Sequence, residues 1–150
     1  MHASGSRRIR AKPAEVWAEL CNPGTLRVCI PSCTELTGSL ADGFDFVVSR
    51  KLSVINIALR GHISISSVDP LNRLSVEIKA SAGLAGSFQG KATLILTSRP
   101  HATDIGFDAS SQLSGWKSVL PTRKLDAVFK RGVDQFFLNF KAELESLDAD

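Results

Sequence analysis

Three cysteines in the first third of the chain are the first candidates for chemistry. Cys21, Cys29 and Cys33 lack the CxxC spacing, and no histidine lies near them along the chain. A nucleophilic thiol needs a basic neighbour that lowers its pKa, and structural zinc takes four ligands. The pattern favours small buried thiols in a reducing compartment. It predicts neither a metal site nor a cysteine nucleophile.

General acid–base catalysis would need a titratable side chain inside a pocket. The alternation of apolar and polar residues in the predicted strands sends the candidate groups to the solvent side of the sheet: Arg60, His62, Glu77, Asp104 and Asp108. Asp126 lies at the edge of the apolar stripe of the last helix, where it reaches a cavity mouth or pairs with Lys130. The chain has no tyrosine. We expect no catalytic residue and predict that the protein is not an enzyme.

Size and composition fit one soluble globular domain. The chain has 150 residues, a net charge of +3 and 43% hydrophobic residues, so we expect one domain over 1–150, with residues 1–5 disordered. No apolar run approaches the roughly 20 residues that cross a bilayer, and residues 1–6 lack the apolar core of a secretion signal. We expect a cytoplasmic protein. Its contact with the inner face of the membrane is at most peripheral, because the last helix ends in acids that repel anionic lipids.

Basic residues cluster once, near the amino terminus. The cluster consists of Arg7, Arg8, Arg10 and Lys12. Such charges often protect an exposed edge strand from pairing with other chains, and the alternative is a surface for an anionic partner. Most other basic residues are interspersed with acids, which argues against nucleic-acid binding.

Alternating strands fill the middle of the chain. A short basic strand comes first, Pro13 and Pro23 each suit the first turn of a short helix, and Pro31 ends the helical stretch. Turn-forming residues then separate six strands, and every connection is too short for a parallel crossover. These strands are predicted over 34–40, 44–51, 56–68, 73–82, 87–98 and 103–112.

From Thr122 onward, large apolar residues recur at helical spacing: Leu125, Phe129, Val133, Phe136, Phe137, Phe140, Leu144 and Leu147. An amphipathic helix needs an apolar surface to cover its stripe, and the dry face of the antiparallel meander provides one. The pattern predicts an α+β fold. A curved antiparallel sheet of about seven strands wraps around a long carboxy-terminal helix, and two short helices follow the first strand.

This order of elements is that of the helix-grip fold of the START-like (SRPBCC) superfamily, which includes polyketide cyclases and birch-pollen-allergen-like proteins. Within it, the chain resembles the CoxG-like family, named for a carbon monoxide dehydrogenase subunit, over roughly residues 7–145. The similarity lies in 11–17 with Asn22-Pro23, in 29–33, in 59–61 and in the glycines at 83, 86 and 90. Ser32 stands where that family usually has glycine, and the segment 114–117 replaces its loop with two glycines.

The resemblance implies an accessory protein associated with molybdenum hydroxylases of the carbon monoxide dehydrogenase type, and not the redox component. Such proteins are thought to help maturation, membrane recruitment or the handling of a hydrophobic molecule such as a quinone. Longer members continue into a tail thought to reach the membrane, whereas this sequence stops at Asp150. The implied partners are a lipid-like or quinone-like small molecule and a molybdenum-containing dehydrogenase. No cofactor is implied.

A sheet that grips a helix can leave an apolar cavity between them. The alternative is a filled core, because the phenylalanines of the last helix could occupy the same space. Trp116 follows the last strand, where its ring either gates the cavity from an exposed position or folds onto the core. The predicted ligand-binding lining is Leu59, Ile63, Val76, Ile78, Phe88, Leu94, Ile105, Phe107, Trp116, Phe129, Phe136 and Phe140.

The function that fits best is a non-catalytic accessory module that binds a hydrophobic ligand. One alternative is an enzyme of cyclase or dehydratase type in the same cavity, which needs at least two polar side chains pointing inward. The other is a protein-interaction domain with a filled core and a working surface near residues 7–12 or Trp116.

Overall fold

The computed structural model describes residues 1–52, 54–116 and 120–148. The element order is the predicted one, and the bounds of β2–β7 differ from the predicted ranges by at most two residues. In chain order the elements are β1 His2–Ile9, α1 Pro13–Leu20, α2 Pro23–Cys29, β2 Cys33–Ser39, β3 Gly43–Leu52, β4 Ile55–Asp69, β5 Arg73–Ser81, β6 Ser87–Arg99, β7 Ala102–Ser114 and α3 Thr122–Asp148.

The seven strands form one antiparallel sheet in the order β1-β7-β6-β5-β4-β3-β2. Consecutive strands from β2 to β7 pair as a meander, and β1 joins beside β7. Gly61 in β4 has no room for a side chain, since a Cβ there would clash with the carbonyl oxygen of Lys79 and would lie 2.6 Å from Cβ of Ala80. A glycine inside a strand often marks such a close approach of neighbouring chain segments.

The amino terminus is part of the sheet. The prediction that residues 1–5 are disordered is wrong, because β1 pairs with β7 from His2 opposite Ser110 to Ile9 opposite Thr103. The amino group of Met1 also donates to the carbonyl oxygen of Ser111 at 2.7 Å. The small polar residues of this segment suggest a frayed end, but the edge of β7 offers backbone partners along its whole length.

Both short helices begin at a proline, as predicted. The side-chain oxygen of Asn22 caps α2 by accepting from the backbone N–H of Gly24 at 2.9 Å. After α2, Ser32 has a φ of 61°. This left-handed conformation is uncommon for residues other than glycine, so the position where the resembled family has glycine is one whose backbone favours glycine.

The helix α3 lies along one side of the concave face, with its closest backbone approaches to β1, α1 and α2. Most of the buried apolar side chains in the described part of the chain fall into three clusters. The β1 cluster includes Ile9, Ile105, Phe107, Phe140 and Leu144; the β2 cluster comprises Leu26, Leu36, Phe44, Phe46 and Ala80; the tip cluster comprises Ile57, Trp116 and Leu125. Partly buried apolar side chains of the sheet and of α3 pack against these clusters, among them Leu59, Phe88 and Phe136.

Candidate functional site

Between the three clusters, apolar side chains of β4, β5, β6 and α3 are only partly buried. A filled core excludes solvent from its side chains, so this set indicates apolar space between helix and sheet. Its members are Leu59, Ile63, Ile65, Val76, Ile78, Phe88 and Leu94 on the sheet and Phe129, Val133 and Phe136 on α3.

Small side chains lie on the sheet side of this space. The strand register places Val76, Ala92 and Ala109 side by side on β5, β6 and β7. All three are partly exposed, and none belongs to a buried cluster. We call these three residues the floor. Two alanines there leave room that larger side chains would fill.

The structure divides the twelve predicted lining residues into two groups. The eight that are partly exposed are Leu59, Ile63, Val76, Ile78, Phe88, Leu94, Phe129 and Phe136. The four that are buried within the clusters are Ile105, Phe107, Trp116 and Phe140. Ile105 and Phe140 have no exposed surface, so they stand behind the partly exposed residues and a ligand would reach them only after side chains move.

Four residues around the same space were absent from the predicted lining. Ile65, Ala92 and Ala109 face it from the sheet, and Val133 lies on α3 one turn after Phe129. Strand alternation and helical spacing would have found them, since each shares a face with a residue that was named.

Trp116 packs at the tip end of the space. Its indole N–H donates to the carbonyl oxygen of Ser87 at 2.7 Å, and the residue is 6% exposed in the tip cluster. Gly86 permits this position, since a Cβ there would lie 2.9 Å from the ring. Of the two arrangements that the sequence left open, the structure has the ring folded onto the core.

Among the described residues, the buried polar side chains are two hydroxyls of β7, on Thr103 and Ser111. Residues two apart in a strand share a face, so both lie on the concave side with Ile105. Thr103 Oγ1 donates to the carbonyl oxygen of Ala11 at 2.8 Å. Ser111 Oγ has no hydrogen-bond partner within the described part of the chain. Such hydroxyls can bind a polar atom, but they do not supply an acid or base near neutral pH.

Three of the five titratable groups expected on the outer face form surface pairs: His62 with Asp45, Asp108 with His2, and Asp104 with two arginines. Asp104 Oδ1 accepts from Arg8 at 2.8 Å, and Oδ2 accepts from Arg99 at 2.9 Å. These hydrogen bonds, aided by the positive charge of the two guanidiniums, hold the pKa of the Asp104 carboxyl far below its usual range. The carboxylate of Asp126 lies 3.1 Å from the ammonium group of Lys130. Of the two alternatives for Asp126, a cavity mouth or a pair with Lys130, the structure has the pair.

Three of the four basic residues near the amino terminus are paired with acids of this chain. Arg7 lies 2.7 Å from Asp134 of α3, and Arg10 lies 3.1 Å from Glu145; Arg8 pairs with Asp104, as described above. Arg7 and Arg8 lie on the edge strand β1. The ion pairs neutralise most of the cluster, which leaves little charge for an anionic partner.

Burial raises the pKa of all three thiols. Cys29 has no exposed surface, and burial, followed by the negative charges of Glu143 and Glu19, raises its pKa to about 11. A thiol kept protonated is a weak nucleophile. Within the described ranges, no three histidine, cysteine or acidic residues are grouped so that they could hold a metal ion.

An open groove of about 590 Å³ lies at the β2 edge of the sheet. Arg27 of α2 lines it together with residues of β2, β3 and β4 that include Glu35, Asp45 and Arg60. Charges of both signs at this groove do not match an apolar ligand. The space beside the floor is the better candidate site.

The long helix held against an antiparallel seven-stranded sheet defines a Bet v 1-like helix-grip protein. A conserved protein from Geobacillus kaustophilus has a TM-score of 0.86 at 20% identity, with 97% of this chain and 96% of that chain aligned. MLL2253 from Mesorhizobium loti has a TM-score of 0.70 at 20% identity, over 97% and 98% of the chains. Ara h 8.0201 has a TM-score of 0.67 at 12% identity, over 97% and 98%. These likenesses confirm the predicted fold.

The model of the family of CoxG, a carbon monoxide dehydrogenase subunit, matches residues 5–145. The chain belongs to this CoxG family, which confirms the resemblance seen in the sequence. Comparison with curated proteins gives no match. Family and fold together support a ligand-binding accessory role. None of the helices in the described ranges combines the length and apolar character needed to span a bilayer.

Proposed function

We propose that the protein is a non-catalytic module that holds a hydrophobic small molecule between α3 and the floor of the sheet. The partly exposed apolar lining carries this proposal, because such side chains are stabilised when a ligand covers them. Transfer of apolar surface from water contributes about 25 cal/mol per Å². Pockets for small molecules are mostly apolar and have few polar groups.

The chemistry of the lining favours a lipid-like or quinone-like ligand. Every residue of the floor is apolar. The hydroxyl of Ser111, which has no hydrogen-bond partner among the described residues, belongs to the next inward-facing pair of β6 and β7, opposite Gly90. The ring of Phe88 covers Gly90, since a Cβ there would lie 3.0 Å from the ring. A shift of that ring would let a carbonyl or hydroxyl of the ligand meet Ser111.

The accessory role follows from the family. The CoxG family takes its name from a component of carbon monoxide dehydrogenase, and the partner enzyme that we propose is a molybdenum-containing dehydrogenase. This module takes part in the maturation of that enzyme, in its recruitment, or in the handling of a quinone or lipid. We place that role in the cytoplasm or at the inner face of the cytoplasmic membrane.

An enzyme of cyclase or dehydratase type is the weaker candidate. It requires titratable side chains in the cavity, and the buried polar side chains of the described residues are the hydroxyls of Thr103 and Ser111. An interaction domain with a filled core is disfavoured by the partly exposed lining. Both alternatives make predictions that differ from those of a ligand-binding module.

A fluorescent apolar probe tests the proposal. Phenylnaphthylamine should bind the wild-type protein with saturable fluorescence. The variant Ala92→Trp should lose this binding, because its indole would cover the floor. Lys91→Trp is the matched control, since Lys91 is exposed on the opposite face of the same strand. Circular dichroism should show that both variants are folded. Equal probe binding by wild type and Ala92→Trp would contradict the proposal.

A further inference from the structure

We propose that the hydrophobic molecule enters and leaves through a side opening between β1 and α3, which the ion pair of Arg7 and Asp134 closes. We call this pair the strap. An open groove of about 300 Å³ lies along the opening. Its lining residues are His2, Ala3, Ser4, Phe107, Lys130 and Asp134. The inference rests on the proposed function, because it assigns the route by which the ligand reaches the floor.

Small side chains connect the groove with the floor. Strand pairing places Ala3 of β1 opposite Ala109 of β7, and Ala109 opposite Ala92 of β6. Residues directly opposite in antiparallel strands share a face of the sheet. All three alanines are partly exposed, and neighbouring strands lie only about 5 Å apart. The row of alanines therefore leaves space from the floor to the edge of the sheet that larger side chains would occupy.

On the helix side, neighbouring residues of α3 separate the groove from the candidate site. Phe129 and Val133 are partly exposed residues of the candidate site, whereas Lys130 and Asp134 line the groove. Consecutive residues of an α-helix point about 100° apart, so the two sets form adjacent faces of α3. A molecule that passes from the groove to the floor crosses only one edge of the helix.

The side chain of Arg7 lies across the opening. Its guanidinium donates to Asp134 Oδ1 at 2.7 Å, and its Cζ atom lies 5.3 Å from the centroid of the Phe107 ring. Gly5 leaves room for this path, since a Cβ there would lie 3.2 Å from both the Arg7 guanidinium and the Phe107 ring. The strap thus joins the edge of the sheet to α3 directly above the groove.

The strap is easier to open than the buried contacts on either side of it. Toward the tip cluster, Trp116 is 6% exposed and donates to Ser87, as described above. Farther along α3, the rings of Phe107 and Phe137 stack at 4.5 Å.

The side chains of Arg7 and Asp134, by contrast, are 38% and 61% exposed. An exposed ion pair changes an equilibrium by no more than about fivefold, whereas a buried aromatic ring that leaves its packing loses more. Ligand passage therefore requires the least rearrangement at the strap.

Thiol labelling of a floor cysteine tests the opening without a ligand. In an Ala109→Cys background, Arg7→Gln should speed modification of the new thiol by the apolar reagent pyrene maleimide about twofold to fivefold. Arg8→Gln is the matched control, because Arg8 lies on the same strand and pairs with Asp104 on the outer face, and it should leave the rate unchanged. Cys29 reports unfolding in the same sample, since it has no exposed surface. Peptide mass spectrometry distinguishes the two thiols.

Charge reversal separates a strap from a general loss of stability. Arg7→Glu places two acids together and should speed labelling of the floor cysteine at least as much as Arg7→Gln does. The double variant Arg7→Glu/Asp134→Arg restores opposite charges and should label at nearly the wild-type rate. Asp134→Asn breaks the same pair from α3, so the test stays decisive if an Arg7 variant unfolds.

The tip end is the competing route. Trp116→Phe removes the indole hydrogen bond to Ser87 and should leave labelling of the floor cysteine unchanged. Faster labelling in Trp116→Phe but not in Arg7→Gln would overturn the proposal. Equal rates in all variants, or a rise at the floor cysteine that Cys29 matches, would also overturn it.

Kinetics with phenylnaphthylamine separate this inference from ligand binding itself. Arg7→Gln should raise the association and dissociation rate constants by the same factor and leave Kd unchanged, because the strap closes over the empty and the occupied site alike. A wild type that binds no probe would contradict the proposed function, and labelling would still decide the opening. Probe binding at equal rates in wild type and Arg7→Gln would contradict the side opening alone.

Discussion

The ring of Phe88 in β6 lies 6.4 Å from the ring of Phe129 in α3, centroid to centroid, with the two planes tilted by 43°. This pair joins the sheet to the helix across the candidate site, and both side chains are partly exposed. By contrast, Phe107 and Phe137 stack at 4.5 Å inside the β1 cluster. The aromatic contact is therefore closer inside the β1 cluster than between Phe88 and Phe129.

Truncation of these phenylalanines should reveal the difference in packing. Phe140→Ala should lower the free energy of unfolding by about 3–5 kcal/mol, because Phe140 has no exposed surface and the variant leaves a cavity. Phe129→Ala should cost only about 1–2 kcal/mol, because its ring is already partly exposed. Urea unfolding of both variants measures this. Equal losses would indicate that the core is filled.

Replacement of Ser32 by glycine should stabilise the fold. The left-handed conformation strains a residue that has a Cβ by about 1–2 kcal/mol. Glycine removes this strain, but part of the gain is lost because glycine has more conformational entropy in the unfolded chain. Ser32→Gly should therefore raise the free energy of unfolding by about 0.5–1 kcal/mol. Ser64→Gly, at an exposed position inside β4, should lower it by a similar amount. A loss of stability in Ser32→Gly would show that the serine makes a contact worth more than the strain.

Local patterns predicted most of the fold. The recurrence of large apolar residues from Leu125 to Leu144 specifies α3, and strict alternation in β5 specifies a sheet with one dry face. Both patterns depend on residues a few positions apart. The ordered start of β1 was missed because its partner β7 lies about a hundred residues away and composition near Met1 resembles that of a loose end.

The site was predicted in part. Alternation identified side chains such as Val76 and Ile78 that face the helix. It could not show that Ile105 is closed off while Leu59 is partly exposed, because this depends on where α3 lies against the sheet. The burial of Trp116 likewise depends on its hydrogen bond to Ser87, which is a contact between distant parts of the chain.

The two buried hydroxyls of β7 should respond differently to removal. Thr103→Val should lower the free energy of unfolding by about 1–3 kcal/mol, because the carbonyl oxygen of Ala11 loses its partner. Ser111→Ala should be neutral or stabilising, because no hydrogen bond to any residue that the structure describes is lost. Thermal and urea unfolding of the ligand-free protein measure both. A cost for Ser111→Ala as large as that for Thr103→Val would mean that Ser111 already has a partner.

The lowered pKa of Asp104 predicts that the free energy of unfolding changes with pH in the acidic range. Because the neighbouring Arg8 and Arg99 lower its pKa in the folded state, the carboxylate stabilises the fold above the ordinary aspartate pKa of about 3.9. This contribution is lost as the pH falls below that value. Asp104→Asn should be less stable than the wild type at neutral pH, and the difference should shrink in acid. Asp69→Asn is the control, as no ion pair among the described residues includes it. A constant difference at all pH values would contradict the assignment.

Native mass spectrometry of the protein purified from its own host tests ligand binding most directly. The wild type and Lys91→Trp should carry a non-covalent adduct that is released on denaturation and extracts into organic solvent. Ala92→Trp should show the mass of the bare chain. Bare-chain mass for the wild type, or an adduct that Ala92→Trp retains, would contradict the binding of a hydrophobic molecule between α3 and the sheet.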